Sequence, residues 1–431
     1  MIRQCLNGKK LLLIGGINTT ADLIGLAHRN GVTVGVADYN KNTYVKSLAD
    51  YVHDISILDE DAVVKLFQEE QYDGIITAFN ERLGPVTSKI AERLQVPFPF
   101  TVEQLKMSTD KKHFKQTCMK YGVPVPKEYN IESEEEIYNA DISYPVIIKP
   151  VDSSSSIGVT PCHSADELAG GYKRAVTASR SGRVIVEQYL PYDEINLTYI
   201  AQDGNIQLAA IHDRYFNTEQ KSTTKAPDLY IYPSRYTDLF VDKYNNLILR
   251  MLQGIGIKNG SLFIQAIIHE GQLYCYEAGI RLNGCKTYQI LEYENDFNTL
   301  ERLMLFALTG SMGDVVTFNP KMKRWYATLN VLGEPGATIA EYKGIKELES
   351  YPWLIHIARR DRPGDVIPPD SAGTLVQDTT RIHLCADTKE ELMARIDKVN
   401  ELYRILNPEN MNIILKPHDT QKVLAELDYE L

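Results

Sequence analysis

Apolar and polar positions along the first hundred residues switch between two periods. Residues 11–14 form a continuous apolar run ending at Gly15-Gly16, which predicts a strand buried on both faces. A helix-like stretch follows and stops at Gly31, and residues 32–37 predict the next strand, closing with Asp38. Residues 59–70 place Ala62, Val63, Leu66 and Phe67 at helical spacing. Another strand is predicted over 74–79 and another helix over 81–94. Alternation of this kind predicts a parallel sheet with helices on both faces. A boundary falls near Val96-Pro97-Phe98-Pro99. Beyond it Ser108-Thr109-Asp110 is an N-cap cluster opening a helix with Phe114, Cys118 and Tyr121 on one face, stopped by Gly122 and Pro124. From Pro145 the pattern is strand-rich, interrupted by a helix over about 238–252 and followed by a hairpin-like stretch over 264–277. A tail from about Asp314 carries predicted strands near 327–331, 381–385 and 412–415, and a helix opened by a capping box, Thr388-x-x-Glu391.

Length and charge narrow the picture. At ~150 residues per domain, 431 residues suggest about three domains. A charged fraction of 24% and a hydrophobic fraction of 44% are globular values, which excludes a disordered chain, a collagen-like fibre and a disulfide-stapled mini-protein. The net charge of −11 argues against nucleic-acid binding over the whole surface and leaves room for a local basic site. No apolar run reaches the ~18 residues of a membrane span. Lys9 and Lys10 before residues 11–14 resemble a signal peptide only faintly, because the run is short and no small-residue cleavage site follows. The six cysteines are scattered without a CxxC pair, which leads us to expect reduced thiols, a cytoplasmic location and no zinc site.

The first lobe invites a dinucleotide-binding reading, with Asp38 on a ribose. The residues after Gly15-Gly16 are Ile17-Asn18-Thr19-Thr20, so G-x-G-x-x-G is not met and the glycines needed for close approach to a pyrophosphate are missing. Three later stretches carry more chemistry. In the first, a predicted strand ends at Lys149-Pro150, followed by Ser153-Ser154-Ser155-Ser156-Ile157-Gly158. Backbone N–H groups and hydroxyls of such a loop can cradle phosphates with Lys149 adding charge, or the stretch is a solvated serine hairpin. In the second, Val184-Ile185-Val186 leads into Glu187-Gln188-Tyr189-Leu190, with Glu194 seven residues after Glu187. Strand-end groups can read an adenine edge, Glu187 accepting its amino group, and Glu194 can accept ribose hydroxyls. Alternatively these acids are solvated. In the third, Gln265 and Glu277 flank a turn at His269-Glu270-Gly271. On facing strands they offer two oxygen ligands of the kind Mg²⁺ takes beside phosphates, with Arg281 as an anion clamp, or they form a cross-strand polar pair.

Taken in order, these pieces resemble the ATP-grasp superfamily, over nearly the whole chain. The matching residues are Lys111 after Thr109-Asp110, Lys149, the 153–158 loop, Glu187 to Leu190, Glu194, and Glu277 with Arg281. The resemblance implies an α/β ATP-grasp fold. Its parts are a Rossmann-like pre-ATP-grasp domain over 1–100, an ATP-grasp domain over 101–313 with a lid over about 110–186, and a small C-terminal α+β domain over 314–431. It implies an ATP-dependent ligase joining a carboxylate to an amine through an acyl phosphate, similar to one half of carbamoyl phosphate synthetase and to purine-pathway enzymes. The cofactors implied are ATP and Mg²⁺, with Mn²⁺ as an alternative. Lys111, Lys149, Ser154, Ser155, Ser156, Gly158, Glu187, Gln188, Leu190 and Glu194 would hold the nucleotide. Gln265 and Glu277 would hold the metal, and Arg281 and Lys149 would act on the transferred phosphoryl group. Arg214 and Arg235, in a stretch rich in cations and tyrosines, are candidates for the substrate's carboxylate or phosphate together with Arg281. Lys221 and Lys225 read at least equally as a solvated loop, and residues 359–362 as a solvated charge run. Partners would be small acids and amines, with a homodimer by analogy and neither nucleic acid nor membrane. The family usually has Asn two residues after the metal Glu, where this chain has Gly279. That departure keeps open a catalytically impaired ATP-binding accessory protein, beside a nucleotide-pathway ligase of the phosphoribosylamine–glycine type.

Overall fold

A computed structural model describes residues 2–153, 157–190, 193–216 and 225–431. The expected first lobe is a parallel sheet. Strands β1 (Lys10–Ile14), β2 (Thr33–Ala37), β3 (Tyr51–His53) and β4 (Gly74–Ile76) lie in the order β3-β2-β1-β4. Helices Ala21–Arg29, Glu60–Glu69 and Leu83–Leu94 fall where the 3.6-residue period placed them. β3 was not legible, because a three-residue edge strand with exposed Tyr51 and Val52 has no burial pattern to read. Asp38 does not point to a ribose: its carboxylate accepts the Gly16 N–H at 2.7 Å.

A second sheet is antiparallel. β5 (Glu128–Tyr129), β6 (Val146–Pro150), β7 (Thr160–Cys162) and β8 (Val184–Gln188) run in the order β5-β8-β6-β7. Helix Ala165–Ala178 covers one face, packing Leu168, Ala169 and Ala175 with Val146, Ile148 and Val186. Ahead of it, Asp110 caps helix Lys111–Lys120 by accepting the His113 N–H at 3.1 Å.

Among the described residues the largest sheet has eight strands. β9 (Asp193–Gln202), β10 (Asn205–Phe216), β11 (Pro227–Tyr232), β12 (Gly260–His269), β13 (Gln272–Gly279) and β14 (Trp325–Leu332) belong to it. So do β16 (Leu354–Arg359) and β17 (Asp378–Ala386), while β15 (Glu341–Lys343) pairs outside it with β18 (Arg404–Leu406). The order β13-β12-β9-β10-β11-β14-β17-β16 carries the sheet straight across the expected 313/314 division, through antiparallel pairing of Leu229–Tyr232 residues with Tyr326–Leu329. The expected helix over 238–252 is two helices, Thr237–Lys243 and Asn245–Gly254, meeting at Tyr244. Residues 412–415 form only isolated bridges and not a strand. Thr388 does cap helix Lys389–Leu402, but the Glu391 carboxylate reaches the Asp387 N–H, so the expected reciprocal box is half formed. The 359–362 run is not simply solvated: the Arg360 guanidinium donates to the carbonyls of Leu375 and Val376 and pairs with Asp361.

Candidate active site

The expected cations arrive at one cleft from three elements. Lys111 opens its helix, Lys149 lies on β6 and Arg281 follows β13. Lys111 Nζ donates to the Ser153 carbonyl at 2.7 Å and stands 3.6 Å from Glu277 Oε1. Lys149 Nζ lies 2.9 Å from Glu187 Oε2 and 5.0 Å from the Tyr276 ring centre. Arg281 Nε lies 3.9 Å from Glu81 Oε1, and its guanidinium sits 5.1 Å from the Phe263 ring centre. Each cation therefore has a carboxylate neighbour, as charges with little access to water require.

Glu187 departs from its expected role. Its side chain is 2% exposed and its two oxygens accept from Lys149 at 2.9 Å and Lys115 at 2.8 Å. Burial pushes the carboxyl up, and the two lysines outweigh burial and hold it below the usual carboxylate range. Each oxygen of this carboxylate thus already accepts from a lysine ammonium. The Gln188 and Tyr189 N–H groups are also taken, by the carbonyls of Lys127 and Pro145 at 2.8 and 3.1 Å. Lys115, one turn beyond Lys111 and 1% exposed, escaped the sequence reading, although its spacing puts both lysines on one helix face.

Gln265 and Glu277 do oppose each other. An unbroken hairpin would not have paired them: from His269↔Gln272 to Ala266↔Cys275 the register is regular, and it would bring Gln265 opposite Tyr276. A bulge at Tyr276 shifts the register by one, so Gln265 meets Glu277. The donor set, one amide oxygen and one carboxylate, suits a hard cation that takes its other ligands from phosphates and water. The departure at Gly279 also has a physical cause. Phe263 lies directly across from Gly279, and a Cβ there would come within 2.2 Å of the Phe263 ring. Phe263 fills the space of the usual Asn side chain and supports Arg281.

Glu194 lies on β9 opposite Arg214 on β10. Arg214 Nη1 donates to Glu194 Oε2 and, at 2.7 Å, to the Tyr276 hydroxyl, which itself donates to Glu194 Oε2 at 2.7 Å. Tyr276 is half-buried, and desolvation together with Glu194 raises its phenol well above the usual value, so it stays protonated. Arg235 is not with them. It pairs with Asp193 at 2.7 Å and Glu426 at 3.3 Å. Asp193 precedes Glu194 on the strand, so its side chain belongs to the other face of the sheet, away from the cleft. That removes Arg235 as a substrate ligand. Gly158 has φ +76, with Ala178 Cβ 2.6 Å from where its own Cβ would be. Ser154, Ser155, Ser156 and Lys221 lie outside the described residues.

Glu81 was missed. It follows β4 at the carboxyl end of the parallel sheet, where such sheets present ligand-binding groups, and that position was the available signal. Burial raises its carboxyl; Arg281 opposes the rise and Glu277 adds to it.

Residues 117–250 match the family described as D-ala D-ala ligase C-terminus. The carbamoyl phosphate synthase large chain of Clostridium beijerinckii is 27% identical over 241 residues, 54% of this chain. The matched region is 22% of that protein, so this chain spans well under two thirds of the relative's length. An L-amino acid ligase from Bacillus licheniformis superposes with TM-score 0.75 at 18% identity, covering 93% of this chain and 99% of that one. The biotin carboxylase domain dimer of Hydrogenobacter thermophilus 2-oxoglutarate carboxylase, in complex with MgADP, ADP and bicarbonate, gives TM-score 0.75 at 18% identity, covering 93% and 91%. Among the described residues no helix is long and apolar enough to cross a membrane. The chain carries the ATP-grasp fold, with residues 117–250 similar to the D-ala D-ala ligase C-terminus family and about half of the chain similar to part of the carbamoyl phosphate synthase large chain.

Proposed function

We propose that this chain is an ATP-dependent ligase that joins a small carboxylic acid to an amine through an acyl phosphate. One observation carries the reading. A continuous set of contacts links Lys111, Glu277, Tyr276, Lys149, Glu194 and Arg214, with Gln265 opposite Glu277. That clustering of cations with an amide–carboxylate oxygen pair and a second carboxylate supports assigning them to phosphates, a divalent ion and a ribose.

A carboxylate oxygen of the acid attacks the γ-phosphorus. The new P–O bond forms as the bond to the β-phosphate oxygen breaks and ADP leaves. The amine nitrogen then attacks the acyl carbon, inorganic phosphate departs with the C–O electron pair, and the nitrogen gives up a proton. Lys111 and Lys149 hold the α- and β-phosphates by exchanging Glu277 and Glu187 for phosphate oxygens. Arg281, propped on Phe263, holds the transferred phosphoryl group. Glu81 lies beside Arg281, and its raised carboxyl makes it a fitting acceptor for the amine's proton. Adenine meets the backbone at Leu190. Gln265 and Glu277 would hold Mg²⁺ or Mn²⁺, which when bound neutralises phosphate charge. The remaining catalysis is positioning and exclusion of water.

The identity of the acid and amine defines the enzyme, and hydroxylamine trapping names the acid without the natural amine being known. With Mg·ATP, hydroxylamine and a panel of carboxylic acids, one acid is expected to yield hydroxamate, and Lys149→Ala to lower the rate by ~100-fold or more. ATP binding without hydroxamate from any acid in an enlarged panel would overturn the ligase reading. We further propose a homodimer, supported by the dimer in the Hydrogenobacter structure. A cytoplasmic location is supported by six free cysteines, five of them buried.

A further inference from the structure

We propose that Tyr276 is a positioning residue that presents Glu194 to the nucleotide through one oxygen, so that one of the two ribose hydroxyls carries the recognition. This rests on the ligase reading, in which Glu194 is the ribose acceptor. A free carboxylate in a nucleotide site offers both oxygens and can take the 2′- and 3′-hydroxyls together. Here two donors converge on the same oxygen: the Tyr276 phenol at 2.7 Å and the Arg214 guanidinium both reach Glu194 Oε2. An oxygen accepting two hydrogen bonds has no further lone pair in a good direction, so an arriving hydroxyl meets Oε1. Binding the second hydroxyl at Oε2 would displace one of these half-buried donors from its hydrogen bond, which is costly.

The placement of Tyr276 is built into the hairpin. It is the extra residue of the β13 bulge, immediately before Glu277. Residues at a bulge lose the strict alternation of a strand, which lets two neighbours aim at one site. The arrangement is also locked from three sides. Arg214 Nη1 donates to the Tyr276 hydroxyl at 2.7 Å, Lys149 Nζ stands 5.0 Å from the ring centre, and Arg214 is paired in register with Glu194. The same side chain thus touches the ribose acceptor and the lysine assigned to the phosphates.

The test compares ATP, 2′-deoxy-ATP and 3′-deoxy-ATP by equilibrium binding to the full-length protein with Mg²⁺, and by steady-state kinetics once the acid is known. For the wild type, removal of one hydroxyl is expected to weaken binding ~10-fold and removal of the other by less than ~2-fold. In Tyr276→Phe, which keeps the ring and frees a site on Oε2, removal of either hydroxyl is expected to weaken binding ~5-fold or more. A purely structural role for Tyr276 would shift all three nucleotides alike. Equal losses for both deoxy nucleotides in the wild type, or an unchanged pattern in Tyr276→Phe, would overturn the inference while leaving the ligase reading intact. Absence of any ATP binding by the wild type would overturn both.

Discussion

Lys115 shows how much a single buried charge can decide. It is 1% exposed, pairs with Glu187 at 2.8 Å and donates to the Pro126 carbonyl at 2.9 Å. Its removal leaves Glu187, itself 2% exposed, with Lys149 alone. In Lys115→Met we expect a loss of ~3–5 kcal/mol in urea unfolding at neutral pH, because a buried carboxylate loses half its compensation. ATP affinity should also fall, since Lys149 is then held more tightly by Glu187. The pH dependence has a definite sign. The Glu187 carboxyl lies below its ordinary value in the folded protein, so its contribution is present above about pH 4 and is lost as pH falls through the folded value. Acid unfolding of Lys115→Met should show a shallower loss over that range than the wild type.

At the scale of elements, the β12–β13 hairpin sets the site. Its bulge at Tyr276 is the departure from a regular ladder that aligns Gln265 with Glu277, and the Phe263–Gly279 pair follows in the shifted register. Gly279 is not a vacant metal-ligand position. Phe263 is 6% exposed and would lie 2.2 Å from a Cβ at 279. Gly279→Asn is therefore expected to cost ~1–3 kcal/mol through overpacking. Phe263→Ala alone opens a cavity and releases Arg281. The double variant Phe263→Ala/Gly279→Asn should recover ~1–2 kcal/mol relative to the sum of the singles, read as a coupling in a double-mutant cycle. Additive singles would show that Phe263 and Gly279 do not share that space. Much of this hairpin was legible in the sequence: the two strands, the turn and the Gln265/Glu277 pair. The bulge was not, because one extra residue leaves the apolar pattern on either side unchanged and alters only the register.

For the whole molecule, the eight-stranded sheet makes the tail inseparable from the cleft. β11 is covered on its outer edge by β14, and Leu229 and Ile231 pack in one core with Trp325, Ile382, Leu392 and Ile396. A fragment ending at residue 313 would leave that edge and those side chains uncovered. We expect it to aggregate on expression, with no cooperative melt, since an exposed apolar edge strand templates association. A soluble, cooperatively melting fragment would mean that the tail packs on a core that stands without it. Contacts across the lobes add to this unity: Lys286 reaches Asp22 of the first lobe at 2.7 Å, and Tyr288 reaches the same carboxylate at 2.6 Å.

What the sequence determined by itself is local in origin. Hydrophobic period set the parallel first lobe, N-caps set helix starts at Asp110 and Thr388, and ordered short motifs singled out Lys111, Lys149, Glu194, Gln265, Glu277 and Arg281 as candidates. The tertiary structure decided which of these groups share partners. It turned the Glu187 carboxylate inward to two lysines, put Arg235 with Asp193 and Glu426 on the far face, and brought Glu81 from the first lobe to Arg281. The physical reason is that period and capping act over a few residues. The pairing of buried charges, by contrast, depends on distances between strands and helices that are remote in the chain.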